Sequence, residues 1–192
     1  MTETTHRHGL ALARWGRARL KQELGGPLAT APSGDWCGEK RATFVTLRWL
    51  DGDLHGCIGA LVPRRTIVDD VAHNAVAAAL HDPRSHAIRL EQVDELDLEL
   101  SILSDLQRIP AGAEKEALDA IRPGVDGIVL IWREHSATFL PSMWPRLPDV
   151  GEFMRALKVK AGLPGNFWDD AIHLERYTAD KHLSIAPKGD RS

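Results

Sequence analysis

The pattern that most constrains the fold is a predicted β-hairpin in the first third of the chain. Apolar and polar residues alternate over 45–49, and a second apolar segment runs over 54–61. Asp51-Gly52 lies between them, and an Asp-Gly pair between two apolar runs is typical of a tight turn because glycine readily adopts the positive φ required there. The two segments therefore predict antiparallel neighbouring strands.

The rest of the chain predicts helices interspersed with further strands. The predicted helices cover 10–24, 66–80, 114–121 and about 149–161, and the further strands cover 96–102, 128–132, 137–140 and 172–177. The strands at 128–132 and 137–140 form a second hairpin, and two hairpins exclude a purely parallel sheet. The sequence thus predicts an α+β fold with a mixed, mainly antiparallel sheet and flanking helices.

Domain organisation and composition narrow the class of protein. Residues 1–9 are expected to form a polar leader, 10–180 a single domain and 181–192 a loose tail. A net charge of −3 argues against a general nucleic-acid binder, which needs a basic surface. No apolar run approaches the roughly 20 residues of a membrane span, and two cysteines cannot form a disulfide framework. We therefore expect a cytoplasmic protein with reduced thiols and no membrane or nucleic-acid partner.

Cys57 is the leading candidate for chemistry. It lies in Gly56-Cys57-Ile58-Gly59, and glycines inside a strand often mark the close approach of a ligand or another backbone, so Gly56 and Gly59 are candidate substrate-binding residues. His55 is two residues earlier, and strand alternation predicts that it shares a face with Cys57. A neighbouring imidazolium would lower the pKa of the thiol and activate it as a nucleophile. Alternatively, Cys57 is a small buried hydrophobic residue.

Polar residues on other elements supply further candidates. Glu99 and Ser101 share one face of a predicted strand, where Glu99 could act as a general base and Ser101 could contact substrate. Arg84 follows Asp82-Pro83 at the end of a predicted helix and could bind a carboxylate or phosphate. The alternatives are a solvated strand face and an exposed helix-ending turn. The spacing of the histidines predicts no metal site, although His55 and Cys57 could together contribute two metal ligands. No cofactor-binding motif is present.

Several ordered motifs resemble the AMMECR domain family, whose bacterial and archaeal members are called AmmeMemoRadiSam system protein A. The resemblance spans roughly residues 10–180. It rests on the segments Phe44–Leu47, Leu54–Gly59, Asp82–Arg84, Leu98–Leu103, Arg122–Gly127, Thr138–Pro141 with Trp144, Phe153, Lys160–Leu163 and Arg176-Tyr177.

The resemblance implies a larger lobe with a smaller lobe against it and a cleft as the site, with Thr138 as another candidate substrate-binding residue. The name of the family also implies an association with a Memo-like protein and a radical S-adenosylmethionine enzyme. Two departures stand out. His55 occupies a position where the family usually has arginine, and Ser85 occupies one where it usually has phenylalanine.

Two functional hypotheses follow. In the first, the protein is a thiol enzyme or thiol carrier in which Cys57 is the nucleophile, His55 activates it, Glu99 shuttles a proton and Arg84 orients an anionic substrate. In the second, it is a non-catalytic ligand-binding or adaptor module in which Cys57 only packs. A metal-dependent enzyme is a third, weaker alternative.

Overall fold

The computed structural model of the protein describes residues 3–110 and 113–187. Its helices are α1 (Glu3–Glu23), α2 (Ile67–Leu80), α3 (Glu114–Ala120) and α4 (Val150–Lys160). Its strands are β1 (Thr43–Trp49), β2 (Leu54–Gly59), β3 (Leu96–Leu103), β4 (Gln107–Arg108), β5 (Gly127–Trp132), β6 (His135–Phe139), β7 (His173–Tyr177) and β8 (Ala179–Ser184). Short 3-10 turns occupy Asp35–Gly38, Leu90–Glu95 and Pro141–Met143.

The chain forms two compact units, one within Met1–Leu103 and Asp180–Ser192 and the other within Ser104–Ala179. The sheet of the first unit has the strand order β2-β1-β3-β8, and the sheet of the second has the order β4-β7-β5-β6. β1 pairs antiparallel with β2 and with β3, and β5 pairs antiparallel with β6 and with β7. The predicted α+β class with mainly antiparallel pairing is confirmed.

In the first unit, helices α1 and α2 cover one face of the sheet. Val45 and Leu47 of β1 and Leu98 of β3 are almost completely buried in the same apolar cluster as Leu12 and Val71 of the two helices. Alternate residues of a strand point to opposite faces, so this cluster defines the core side of the sheet. The polar residues between them face the other side, where the candidate site lies.

Local signals in the sequence identified the first hairpin turn and the starts of α2 and α4 correctly. Gly52 has a φ of 93°, in the region that favours glycine. The Thr66 hydroxyl accepts from the backbone N–H of Asp69 at 3.3 Å, and Asp149 accepts from Glu152 at 2.9 Å. Each bond satisfies a backbone donor that has no partner within its own helix.

The second unit packs α4 on a separate apolar core. Phe153, Met154 and Leu157 of α4 are at most 1% exposed and form the face that the helix buries. The Trp144 ring stacks on Phe153 with centroids 4.0 Å apart, and its indole N–H donates to the Asp126 carbonyl at 2.7 Å. The tryptophan therefore has both its apolar ring and its polar nitrogen satisfied inside the unit.

The two ends of the chain are more ordered than predicted. The leader expected over 1–9 is helical from Glu3, as the first turns of α1, and the tail expected over 181–192 includes the end of β8. Residues 188–192 of that tail, like residues 1 and 2, lie outside the described residues. The polar, histidine-rich start of α1 has no apolar periodicity to reveal a helix, and β8 forms by joining a sheet whose other strands lie far away in sequence.

His182 of β8 is buried without a hydrogen bond. The residue is 2% exposed, and neither ring nitrogen has a hydrogen-bond partner in the described part of the chain. It packs where a side chain at Gly9 would otherwise be, and its centroid is 5.6 Å from that of His6. Burial lowers its pKa, the nearby His6 lowers it further, and Asp180 acts in the opposite direction. The folded protein therefore favours the neutral ring.

We expect His182 to make the protein less stable as the pH falls below neutral. Its folded pKa is below the usual value of about 6.5, so the unfolded chain takes up a proton first and stability declines, by up to about 1.4 kcal/mol per pH unit, until the folded pKa is reached. Urea unfolding at pH 7.5 and 5.5 would measure this decline, and His182→Phe should reduce it. An equal decline in both proteins would contradict the prediction.

Candidate functional site

Strand β2 has a bulge just before the candidate cysteine. Leu47 of β1 pairs with Gly56, whereas the next residue, Arg48, pairs with Leu54, so His55 is an extra residue in the ladder. A bulge interrupts the alternation of side chains and redirects the residues after it. His55 and Gly56 consequently both face helix α2.

His55 holds β2 against the end of α2 and does not lie beside the thiol. The residue is 5% exposed, the Nε2 of its ring lies 3.1 Å from the Ala79 carbonyl oxygen, and the ring packs edge-on against the Trp49 ring at a centroid distance of 5.3 Å. Cys57 faces the opposite side of the sheet. The prediction that His55 and Cys57 share a strand face is therefore wrong, because the bulge shifts the register between them.

The Cys57 sulfur lies on the polar side of the sheet. Thr46 is the residue directly across from it on β1, and the Thr46 hydroxyl donates to the Cys57 Sγ at 3.3 Å. The Cys57 residue is half-buried. The residue is thus only partly buried, and its thiol has a hydroxyl neighbour, unlike a cysteine that only fills an apolar core.

Asp82 binds the backbone of Cys57 from outside the sheet. Its carboxylate is nearly completely buried and accepts from the Cys57 N–H at 2.9 Å and from the Arg84 N–H at 3.0 Å. The Arg84 guanidinium adds two bonds, from Nε at 2.9 Å and from Nη2 at 2.6 Å. The bond from Arg84 is the main reason that the pKa of Asp82 is far below its usual range, against the effect of burial.

Arg84 places a fixed positive charge next to Cys57. Its Nη2 also donates to the Cys57 carbonyl oxygen at 3.4 Å, while the side chain remains 59% exposed. The bond to Asp82 raises the pKa of Arg84, and charge on the Cys57 sulfur acts in the same direction. Within the described residues Nη1 has no hydrogen-bond partner. This nitrogen is therefore available to an anionic group near the sulfur.

Glu99 lies in the same row of the sheet as the thiol. Thr46 pairs with Cys57 on one side and with Glu99 of β3 on the other. With neighbouring strands about 4.8 Å apart, the backbones of Cys57 and Glu99 are separated by about 10 Å. The Glu99 carboxylate forms an ion pair with Lys181 of β8, with 3.1 Å between Nζ and Oε1. Glu99 and Cys57 share a face, and a substrate or solvent would have to bridge them.

Contacts within the protein account for both glycines of the motif. A methyl group at Gly56 would overlap the Ala78 carbonyl oxygen of α2, and one at Gly59 would overlap the Phe44 ring. Ser101 is buried opposite the same Phe44, in the row next to that of the thiol. The close approach inferred from the glycines is therefore made by the backbone and an aromatic ring. Their role in substrate binding, like that of Ser101, remains a prediction.

Thr138 belongs to the second unit. Its hydroxyl donates to the Ile128 carbonyl at 2.9 Å and lies 2.8 Å from the Tyr177 hydroxyl. Tyr177 is almost completely buried, and burial raises its pKa to about 12. The first bond joins β6 to its neighbour β5, and the contact with Tyr177 links β6 to β7 across the end of β5. The role of Thr138 in substrate binding remains a prediction.

Three residues near the thiol were missed as site residues in the sequence. Thr46 looked like an ordinary polar residue of an alternating strand, and Lys181 lay in the expected tail. Asp82 was interpreted as part of a helix-ending turn, although an aspartate two residues before Arg84 was a usable signal for an ion pair.

The described residues contain neither a cluster of metal-ligating side chains nor a helix that could span a membrane. Across residues 3–110 and 113–187, no group of three or more histidine, cysteine, aspartate or glutamate side chains is arranged to hold a metal ion. Among the helices of those same residues, none has the length and apolar character needed to cross a bilayer.

Comparisons with known proteins converge on one family. The model of the AMMECR1 family matches residues 11–182. Protein MJ0810 of Methanocaldococcus jannaschii is 30% identical, over 97% of this chain and 94% of its own. A protein of Thermococcus gammatolerans is 33% identical, over 79% of this chain and 76% of its own. The crystal structure of uncharacterized protein PH0010 from Pyrococcus horikoshii superposes with a TM-score of 0.85 and 28% identity, covering 96% of this chain and 95% of that one.

Proposed function

From the premise that the chain belongs to the AMMECR1 family, we propose that it is a cysteine-dependent enzyme or thiol carrier. Cys57 forms a bond to an electrophilic atom of a small molecule or protein, and the group displaced from that atom leaves with the bonding electron pair. The substrate carries an anionic group beside the reacting atom. The protein acts in the cytoplasm, where thiols remain reduced.

One observation carries this proposal: hydrogen bonds hold a positively charged guanidinium against the backbone of the cysteine itself. Asp82 orients Arg84 through two hydrogen bonds, and Arg84 also contacts the Cys57 carbonyl oxygen. The Asp82 side chain is only 1% exposed, so the carboxylate that holds the guanidinium is itself fixed in the interior. A planar guanidinium with a free N–H edge is suited to binding a carboxylate or phosphate.

The neighbouring polar residues take the remaining roles. Thr46 donates a hydrogen bond to the sulfur and so fixes its position on the polar side of the sheet. Glu99, on the far side of Thr46, receives the thiol proton through bound substrate or solvent. His55, which faces α2, has a structural role in this scheme and no part in activating the thiol.

The proposed partners are a Memo-like protein and a radical S-adenosylmethionine enzyme, as the family resemblance implies. A thiol carrier would suit such an assembly, because a group attached to one sulfur can be handed to a second protein. Purification of the tagged chain from cells that express both partners tests this part of the proposal, and absence of both from the purified material would count against it.

The proposed site is tested by the charge preference of alkylation at Cys57. In a Cys37→Ser background, the rate with iodoacetate, which is anionic, is compared with the rate with neutral iodoacetamide. We expect Arg84→Gln to lower the iodoacetate-to-iodoacetamide ratio about fivefold, because a charge pair at about 4 Å in water is worth about 1 kcal/mol. Mass spectrometry of the intact protein gives both rates.

Arg122→Gln is the matched control. Arg122 bonds to Asp126 through Nε and Nη2, as Arg84 does to Asp82, and its side chain is similarly exposed at 53%, but it makes no bond to a cysteine. The control should leave the ratio unchanged. Equal ratios for wild type and Arg84→Gln, or no native-state alkylation of Cys57, would overturn the proposal.

A non-catalytic ligand-binding or adaptor module is the second candidate, and one observation favours it. β2 is an edge strand of its sheet, and exposed strand edges promote unwanted pairing. Asp82 and Arg84 occupy the N–H and carbonyl of Cys57, so they also serve to cover this edge. In that case Cys57→Ser should leave partner binding intact, whereas loss of binding in a folded Cys57→Ser protein would reject the adaptor function.

A further inference from the structure

The first unit contains a cavity of about 270 Å³ whose lining residues are all separate from those around Cys57. Its apolar floor consists of Leu12 of α1, Ile67 of α2 and Ile102 of β3, and each of these side chains is at most 8% exposed. The volume is near the lower limit of about 300 Å³ for small-molecule pockets. The cavity therefore suits a ligand with a small hydrocarbon part.

One wall of the cavity is an aromatic pair. His8 stacks on Trp36 with ring centroids 4.2 Å apart and an angle of 10° between the planes. Gly34, with a φ of 135°, allows the Trp36 indole to fold back onto the loop, since a Cβ at this position would lie 2.8 Å from the indole Nε1. The loop conformation thus specifically accommodates this wall.

Arg41 contributes a cation with spare hydrogen-bonding capacity. Its Nη2 and Nε donate to the Leu103 carbonyl oxygen at 3.1 and 3.4 Å, which holds the guanidinium in place at the cavity. Its Nη1 makes no hydrogen bond to any described residue. An anchored guanidinium with one free nitrogen recognises a carboxylate well.

Two carboxylates line the same cavity. Glu39 is exposed and Asp180 of β8 is half-buried. Neither carboxylate forms an ion pair or side-chain hydrogen bond with Arg41 or with any other residue in the described ranges. Opposite charges therefore line one cavity without neutralising each other directly.

We propose that this cavity binds a small zwitterion of the free apolar amino acid class. The ligand carboxylate bonds to Arg41, its ammonium lies by Glu39 and Asp180, and its hydrocarbon side chain rests on the apolar floor. A ligand with only a carboxylate would face two like charges, and one with only an ammonium would leave Arg41 without a counter-ion. A zwitterion supplies a counter-charge to the guanidinium and to the carboxylates at once. This binding function is separate from the chemistry at Cys57.

Isothermal titration calorimetry with three matched probes tests the site on the full chain. The probes are L-leucine, 3-methylbutylamine, which lacks the carboxylate, and 4-methylpentanoate, which lacks the ammonium. We expect leucine to bind about tenfold more tightly than either analogue, because a hydrogen bond to a charged group contributes about 1.5–3 kcal/mol. Equal affinities for all three, or no saturable leucine binding at millimolar concentrations, would overturn the proposal.

Charge-removing variants assign each half of the ligand to its residue. Arg41→Gln should abolish the advantage of leucine over the amine, and Asp180→Asn should reduce its advantage over the acid. Glu39→Gln alters an exposed carboxylate and gives a second test of the ammonium position if Asp180→Asn does not fold. Arg146→Gln and Asp170→Asn, which change exposed charges elsewhere, should leave leucine affinity unchanged. Equal losses in the control variants would also overturn the proposal.

Discussion

Replacing Gly56 by alanine is expected to destabilise the protein by about 3 kcal/mol or more. The added methyl group would overlap the Ala78 carbonyl oxygen, which is a backbone atom of α2 and cannot rotate away as a side chain would. β2 and α2 would have to separate. This movement would also strain the bond from the Cys57 N–H to Asp82, so native-state alkylation of Cys57 should change together with stability.

Gly38→Ala is the matched control for this substitution. Gly38 is exposed, and a methyl group there would meet no atom within 4 Å. The variant should fall within about 0.5 kcal/mol of wild type, as surface substitutions usually do. Urea unfolding followed by circular dichroism gives both values. A Gly56→Ala protein as stable as Gly38→Ala would show that β2 and α2 leave room for a methyl group at residue 56.

The second large effect is expected at Arg17, which joins three segments of the first unit. Its Nη1 donates to the Val93 carbonyl at 2.7 Å, and its Nη2 donates to the carbonyls of Leu96 and Ser184 at 2.6 Å each. Its Nε donates to the Ser184 hydroxyl at 3.1 Å. Burial lowers the pKa of Arg17, with nearby aspartates opposing that effect. One side chain thus satisfies acceptors before β3, on β3 and at the end of β8.

Arg17→Met should cost about 3 to 5 kcal/mol in the free energy of unfolding, because each partly buried acceptor left without a donor costs about 1–3 kcal/mol. Arg17→Lys should recover only part of this loss, since a single ammonium lacks the planar fork of a guanidinium. The measurement is again denaturant unfolding, with hydrogen exchange of β8 amides as a local readout.

Arg19→Met provides the comparison on the same helix. Arg19 forms a partly exposed ion pair with Glu23 one turn away, at 2.8 Å, and such pairs contribute about 0.3–0.5 kcal/mol. The two variants remove the same charge from α1. Similar losses of stability in Arg17→Met and Arg19→Met would rule out the joining role of Arg17.

The parts of the fold predicted correctly depend on contacts between residues close together in sequence. The turn at Gly52 and the helix caps at Thr66 and Asp149 each involve residues within a few positions of one another. The strand alternation over Val45 and Leu47 likewise predicted which residues enter the core. Backbone conformation and the period of a helix or strand decide these features, and both are visible in a short window of sequence.

The candidate site was predicted only in part, and the bulge explains the main error. Cys57 and Glu99 were both selected as candidates, and strand pairing places them on one face of the sheet. His55 does not lie on that face, because one unpaired residue reverses the side to which a strand's residues point. Strand pairing determines where a bulge occurs, and no short pattern of apolar and polar residues marks this one.

The amino-acid sequence by itself determined the α+β class, the positions of α2, α3, α4 and the two hairpins, and the presence of a glycine-flanked cysteine on the return strand of the first hairpin. Only the tertiary structure decided which groups meet that cysteine: Thr46 from the next strand, and Asp82 with Arg84 from beyond α2. The same is true of β8, which joins the first unit across most of the chain length. Short-range contacts follow from local backbone preferences, whereas contacts between distant segments depend on packing of the whole unit.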